Sequence, residues 1–374
     1  MTKTILFLTG TRADYGKIKP LIRVCMDIQD VEPVIAVTGM HCLGPYGLTW
    51  KEVEKDFSNP YVFHNQNTQD SGATVLSKTV ARLEDLCAEL SPDLLVAHGD
   101  RIETLAAAAT GALMNVRVGH IEGGEVSGTI DESIRHAVSK LAHVHFVSNE
   151  EAAARLRSFG EPAESVFVIG SPELDLADSP DLPSLEDVKA HYGIPSSPHV
   201  IFAFHPVTTS TEESALHARY SLEALEHGGF HVVAIEPNND FGSDLIRREI
   251  DRFRDNQSFS VFPSLRYERF LVLLRNAEFV IGNSSMGVRE APHYGVPSID
   301  IGSRQMNRGK GPTIISVIPR SSREILRAIQ KAQSSDRIRG SQFGDGRSAD
   351  RFRAVVESGS IWEIGLQKHH VDQK

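Results

Sequence analysis

Short apolar runs of strand length recur along this 374-residue chain, and each gives way to a glycine or charged cluster and then to a stretch with helical spacing. In the first half the runs are residues 5–8, 34–38, 94–97, 116–120 and 144–147. In the second half they are 200–204, 231–235, 259–262, 279–282 and 297–301. Continuous rather than alternating apolar character belongs to strands covered on both faces, and regular strand–helix alternation predicts parallel sheets with helices on both sides. The α/β class follows. Ile18, Leu21, Ile22, Cys25 and Met26 illustrate the helical spacing, with Pro20 tolerable if it lies in the first turn. No low-complexity segment or short-period repeat interrupts the pattern.

A chain of this length exceeds what one core usually supports, so two domains of roughly 170 residues are expected. The Pro- and Asp-rich stretch from Ser171 to Pro183 reads as the linker. This predicts a first domain over residues 1–172, joined by a terminal helix at 348–370 whose stripe carries Phe352, Val355 and Val356. The second domain then covers 184–347. Net charge of −10 argues against nucleic-acid binding, which rests on Lys and Arg neutralising phosphates. Cys25, Cys42 and Cys87 have neither metal-like spacing nor an even count. The alanine-rich run 105–114 is too short to cross a bilayer, and the N-terminus enters a strand pattern at once, so the cytoplasm is the expected location.

Charge gathers where the runs end. His98-Gly99-Asp100-Arg101, Gly119-His120-Ile121-Glu122-Gly123-Gly124 and Asp131-Glu132-Ser133-Ile134-Arg135-His136 put three carboxylate positions at the rim where open α/β sheets bind ligands. Asp100, Glu122 and Asp131 are therefore candidate catalytic groups. Thr129 and Glu132 fit a capping box, and Asp131 with Arg135 fits a helix-face pair. Thr9-Gly10-Thr11-Arg12-Ala13-Asp14-Tyr15-Gly16 lacks both the dinucleotide and the P-loop spacing, and fits a tight turn as readily as an anion-binding loop. His205, where a second-half run ends, is a candidate acid or base. Asn283-Ser284-Ser285-Met286-Gly287 opens a helix and can seat a phosphate, or serve only as a cap; Glu290 suits a sugar hydroxyl better than an anion.

These motifs, together with Thr38-Gly39-Met40-His41 and Gly302-Ser303-Arg304-Gln305, resemble in order and spacing the UDP-N-acetylglucosamine 2-epimerase family over nearly the whole length, and within it the hydrolysing branch. The resemblance implies two Rossmann-like domains of the glycosyltransferase B type with the sugar nucleotide in the interdomain cleft. It implies catalytic roles for Asp100, Glu122, Asp131 and His205, diphosphate contacts for Arg12 and Arg101, and sugar-side or supporting roles for Asp14, His41 and Arg135. In the second domain it implies a diphosphate seat at Ser284 and Ser285, a ribose ligand at Glu290 and a uracil-facing aromatic at Phe270, whose stretch reads equally well as a buried helix. Asn238 and Arg304 are implied as further nucleotide contacts.

Two departures favour the hydrolysing branch. Non-hydrolysing members typically carry His-Arg-Arg-Glu-Asn, where this chain has His205-Pro206-Val207-Thr208-Thr209, and Glu-Glu, where it has Asp131-Glu132. The implied reaction is elimination of UDP to 2-acetamidoglucal followed by hydration, for sialic acid synthesis, with no metal and no cofactor. A UDP-sugar and further copies of the chain, as dimer or tetramer, are the expected partners, without nucleic acid or membrane. The nearer alternative is a hydrolysing epimerase of UDP-N,N'-diacetylbacillosamine or a GDP analogue; the farther is a glycosyltransferase, which needs an acceptor.

Overall fold

A computed structural model describes residues 2–372. Its contacts divide the chain into two compact units. The first contains residues up to 125, 131–178 and those from 343 onward; the second contains 126–130 and 179–342. The division at 178 falls inside the stretch expected to be a linker. Part of that stretch is in fact the short helix Glu173–Ala177, with Glu173, Leu174, Leu176 and Ala177 buried in the first unit. Pro172 stands at its N-cap, which is why a proline-rich sequence read as a loop still starts a helix.

The first unit is built on β1 (Lys3–Thr9), β2 (Val31–Val37), β3 (Tyr61–Val62), β4 (Leu94–His98), β5 (Arg117–Ile121), β6 (Val144–Val147) and β7 (Val166–Val168), in the order β3-β2-β1-β4-β5-β6-β7. All pairings are parallel. The second unit has β8 (His199–Ala203), β9 (His231–Ile235), β10 (Phe259–Phe262), β11 (Val280–Gly282), β12 (Ser298–Ile301) and β13 (Ile314–Val317), also parallel, in the order β10-β9-β8-β11-β12-β13. The direction in which successive strands are added reverses once in each sheet, at β1/β4 and at β8/β11. The crevice outside the carboxyl ends of such a strand pair is where open α/β sheets take ligands. In β1, Ile5 and Phe7 enter one apolar core while Leu6 and Leu8 enter another on the opposite face, so the run shows no alternation.

The helix after β1 starts earlier than its apolar stripe suggests. It spans Arg12–Met26, and Pro20 is interior rather than in the first turn. A capping box fixes the start: Thr11 accepts from the Asp14 N–H, while the Asp14 carboxylate accepts from the Thr11 N–H. Pro20 leaves the Gly16 carbonyl without its helical donor, a local cost that the buried Ile18, Leu21, Ile22 and Cys25 offset.

The helix Ser348–Ser358 completes the first unit. Phe352 is fully buried, its ring centroid 4.8 Å from that of Phe146 and 6.4 Å from that of Phe7. Asp175 anchors the helix start by accepting from the Ser348 and Ala349 N–H groups at 2.8 and 2.6 Å. Beyond it, Lys368 Nζ reaches the buried Glu161 at 2.5 Å, and Glu161 also takes hydrogen bonds from His145 at 3.0 Å and Lys140 at 2.8 Å. Burial pushes the Glu161 carboxyl up, but these three hydrogen bonds outweigh it and hold it at about 2, below its ordinary 4.5. A depressed carboxyl stabilises the fold fully above pH 4.5 and loses that contribution as pH falls toward 2. Denaturant titrations of Glu161→Gln should therefore show a shallower loss of stability across that window than the parent chain; equal slopes would remove Glu161 from the acid response.

Among the described residues, no helix is long and apolar enough to cross a membrane.

Candidate functional site

In the first unit, β1 and β4 end side by side, and their following loops carry Gly10 to Arg12 and Gly99 to Arg101. The Gly10 loop is packed from beneath by Gly39, where φ is +65° and a Cβ would come within 2.5 Å of the Gly10 carbonyl oxygen. Buried Glu103 lies directly against Gly10, takes a 3.3 Å hydrogen bond from Gln66, and sits 3.5 Å from Arg101 Nε. A tight backbone approach thus accounts for these glycines without a ligand.

Asp100 follows β4 and accepts a hydrogen bond from Arg135, whose side chain is fully buried. Arg135 belongs to the helix Ile130–Leu141, which begins directly after Thr129 and carries half-buried Asp131 in its first turn. Charge-assisted contact with a rigid guanidinium fixes the Asp100 carboxylate in one orientation.

Glu122 follows β5 in a left-handed backbone conformation, φ +68°, which re-aims its buried carboxylate toward the neighbouring strand end. His98 Nε2 lies 3.1 Å from Glu122 Oε1 and Lys17 Nζ lies 3.3 Å from it. Lys17 is also 3.7 Å from the fully buried Glu173. One ligand atom each from His98, Glu122 and Glu173 lies within 4.8 Å of the others, a set that could gather a cation. The Lys17 ammonium already supplies positive charge at that point, and a second cation beside it is opposed by repulsion.

The other expected residues have distinct settings. Arg12 is paired with Glu52 at 2.5 and 3.1 Å. Asp14 is engaged by its own loop, accepting from Thr9 Oγ1 at 2.7 Å, Thr11 N at 2.8 Å and Gly10 N at 3.0 Å. His41 is wholly buried between Thr9 Oγ1 at 3.0 Å and Thr49 Oγ1 at 2.6 Å, and burial pushes it down to about 4. His120, behind the β4 and β5 ends, is pushed down to about 3 by burial and bridges the Gly99 carbonyl and Ser139. Both imidazoles are therefore neutral hydrogen-bonding supports near pH 7.

The second unit repeats the device at β8/β11. The His205 N–H donates to Asn283 Oδ1 at 2.7 Å, and Asn283 Nδ2 donates back to the His205 carbonyl at 2.8 Å. His205 Nδ1 accepts the Asn238 N–H at 3.4 Å, which assigns the neutral ring proton to Nε2. Ser284 and Ser285 are half-buried at the start of the turn Ser285–Gly287, and Arg304 donates to the Asn283 carbonyl at 3.3 Å. Gly128 also donates its N–H to the Arg304 carbonyl at 2.9 Å. Buried Glu290 accepts from Tyr267 Oη at 3.1 Å. Phe270 is buried within the helix Tyr267–Arg275, in agreement with the helix reading of its stretch.

Lys17, Glu103, Glu173 and Tyr267 were not among the residues given roles from sequence. Only Lys17 left a trace, as a lysine set beside Ile18 and Leu21 on a stripe that should be apolar.

A family model described as UDP-N-acetylglucosamine 2-epimerase matches residues 24–357. The UDP-N-acetylglucosamine 2-epimerase of Neisseria meningitidis serogroup B is 45% identical over 99% of both chains. The UDP-N,N'-diacetylbacillosamine 2-epimerase (hydrolyzing) of Legionella pneumophila is 32% identical over 96% of both. The crystal structure of a UDP-GlcNAc 2-epimerase from Neisseria meningitidis bound to UDP-GlcNAc superposes with a TM-score of 0.81, covering 95% of this chain and 99% of that one at 17% identity. That likeness extends to the fold: two parallel-sheet α/β domains of the glycosyltransferase B type. By the family model and the near full-length relatives together, the chain belongs to the UDP-N-acetylglucosamine 2-epimerase family.

Proposed function

We propose that this protein is a hydrolysing UDP-N-acetylglucosamine 2-epimerase, converting UDP-GlcNAc and water to N-acetylmannosamine and UDP for sialic acid synthesis. The observation that carries the reading is the pair of carboxylates on adjacent strand ends, Asp100 held by buried Arg135 and Glu122 held by Lys17 and His98. One carboxylate takes the C2 proton while UDP leaves C1, giving 2-acetamidoglucal; water then adds at C1 and a proton returns to C2 from the opposite face. Such an inversion needs two acid/base groups in different environments, and Asp100, Glu122 and Asp131 supply them, with His205 as a further acid or base. Ser284, Ser285, Asn238, Phe270, Glu290 and Arg304 are assigned to the nucleotide, Arg12 and Arg101 to its diphosphate, and Asp14 and His41 to support of the sugar-side loop. Hydrolysis rather than return of UDP-sugar is favoured by Pro206 to Thr209 after His205 and by Asp131 before Glu132.

In deuterated water, NMR should show N-acetylmannosamine carrying deuterium at C2, with UDP released in equal amount. Retention of the original hydrogen would sink elimination, and a lasting UDP-N-acetylmannosamine product would move the protein to the non-hydrolysing branch. The relative named for UDP-N,N'-diacetylbacillosamine supports a second reading with that substrate, and the preferred nucleotide sugar in the same assay separates the two.

A further inference from the structure

Glu173 has no part in the reading above, yet its carboxylate is fully buried beside Lys17 and within 4.8 Å of Glu122 and His98. Lys17 Nζ stands between the two glutamates, 3.3 Å from Glu122 and 3.7 Å from Glu173. One ammonium balances one carboxylate. Two ionised carboxylates beside one ammonium compete for it, and like charges this close titrate as a coupled pair.

We propose that Glu173 is a positioning residue that shares the Lys17 ammonium with Glu122, so that Glu122 can take up and release a proton during turnover. Were Lys17 devoted to Glu122 alone, the pair would be a closed ion pair with Glu122 locked as an anion. The groups facing Glu122 include Lys17 from the helix Arg12–Met26, His98 from β4 and Glu173 from the helix Glu173–Ala177. Next along these elements and β5 stand Asp100 with Arg135, His120, and Asp175, whose carboxyl is raised by burial and by Glu173. Asp175 is engaged by the Ser348 and Ala349 N–H groups, while Glu173 lies 3.7 Å from Lys17.

The inference rests on Glu122 being one of the acid/base groups, and its test separates the two ideas. Carbon-13 carboxyl NMR of glutamate-labelled full-length enzyme, with the Glu122 signal assigned by its loss in Glu122→Gln, reads the Glu122 titration directly; the pH profile of kcat is measured alongside. In Glu173→Gln, which keeps shape and removes charge, the Glu122 titration should move to lower pH by about one to two units. The limb of the profile that Glu122 controls should move with it, and Glu173→Asp should restore most of the original profile. A purely structural Glu173 would lower turnover at every pH and leave the titration in place. An unmoved or upward-moved Glu122 signal in folded Glu173→Gln overturns the proposal. Should that variant not fold, Glu173→Met removes the same charge with an apolar side chain suited to a fully buried position: the Glu122 titration must again move to lower pH, and failure to do so overturns the proposal equally. Normal turnover in Glu122→Gln would instead remove Glu122 from the catalytic set, while the shift of its titration still decides whether Glu173 acts on Lys17.

Discussion

Glu122→Gln and Asp131→Asn should each lower kcat by roughly a hundredfold or more, the scale of a positioned acid or base, while the melting temperature stays close to that of the parent. Both amides are isosteric with the acids they replace. Asp100→Asn should lose at least as much turnover, but its effect is composite. Arg135 is fully buried against Asp100, and the substitution removes a partner charge from a guanidinium out of water. That variant should therefore also be less stable by a few kcal/mol. Turnover per folded molecule, taken from active-site titration and a denaturant curve on the same sample, separates the two losses. Near-normal turnover in any one of the three removes that residue from the acid/base set.

Phe352→Ala should destabilise the first unit by about 3–5 kcal/mol, as expected for deleting a fully buried aromatic ring. The ring lies edge-on to Phe146 and tilted against Phe7, the centre of the sheet's first strand, so its removal opens a cavity that two rigid neighbours cannot close. The buried members of this core all lie before residue 170 or after 351, within the first unit. Hydrogen exchange should accordingly show protection falling in β1 and β6 while β8 and β11 keep theirs; uniform loss across both sheets would show the two units melting as one.

Ten of the thirteen strands were legible because buried parallel strands are nearly continuous apolar runs. The three that were not, β3, β7 and β13, end a row in their sheets, are short and are only partly buried, whereas most of the strands read from sequence are longer or wholly buried. Asp100 and Glu122 could be placed at the carboxyl-end rim of the sheet because each closely follows such a run. Lys17 and Glu173 could not, since a lysine on a helix and a glutamate beside prolines normally face water, and only the packing of the helix Glu173–Ala177 against the helix Arg12–Met26 buries both. Asp14 shows the converse: Thr11-x-x-Asp14 was itself a capping pattern, and its carboxylate is taken up by the loop amides.

The return of the chain to the first unit at residue 343 fixes an order of assembly during synthesis. Residues 179–342 form a nearly continuous unit that can collapse on its own as it leaves the ribosome. The sheet bearing Asp100 and Glu122 is translated earlier, but the core it shares with Phe7 and Phe146 stays incomplete until Phe352 and Ile361 emerge. Earlier made, the half that holds the carboxylates is the later one finished, and any nascent chain halted in between presents an open apolar face for a holdase to cover.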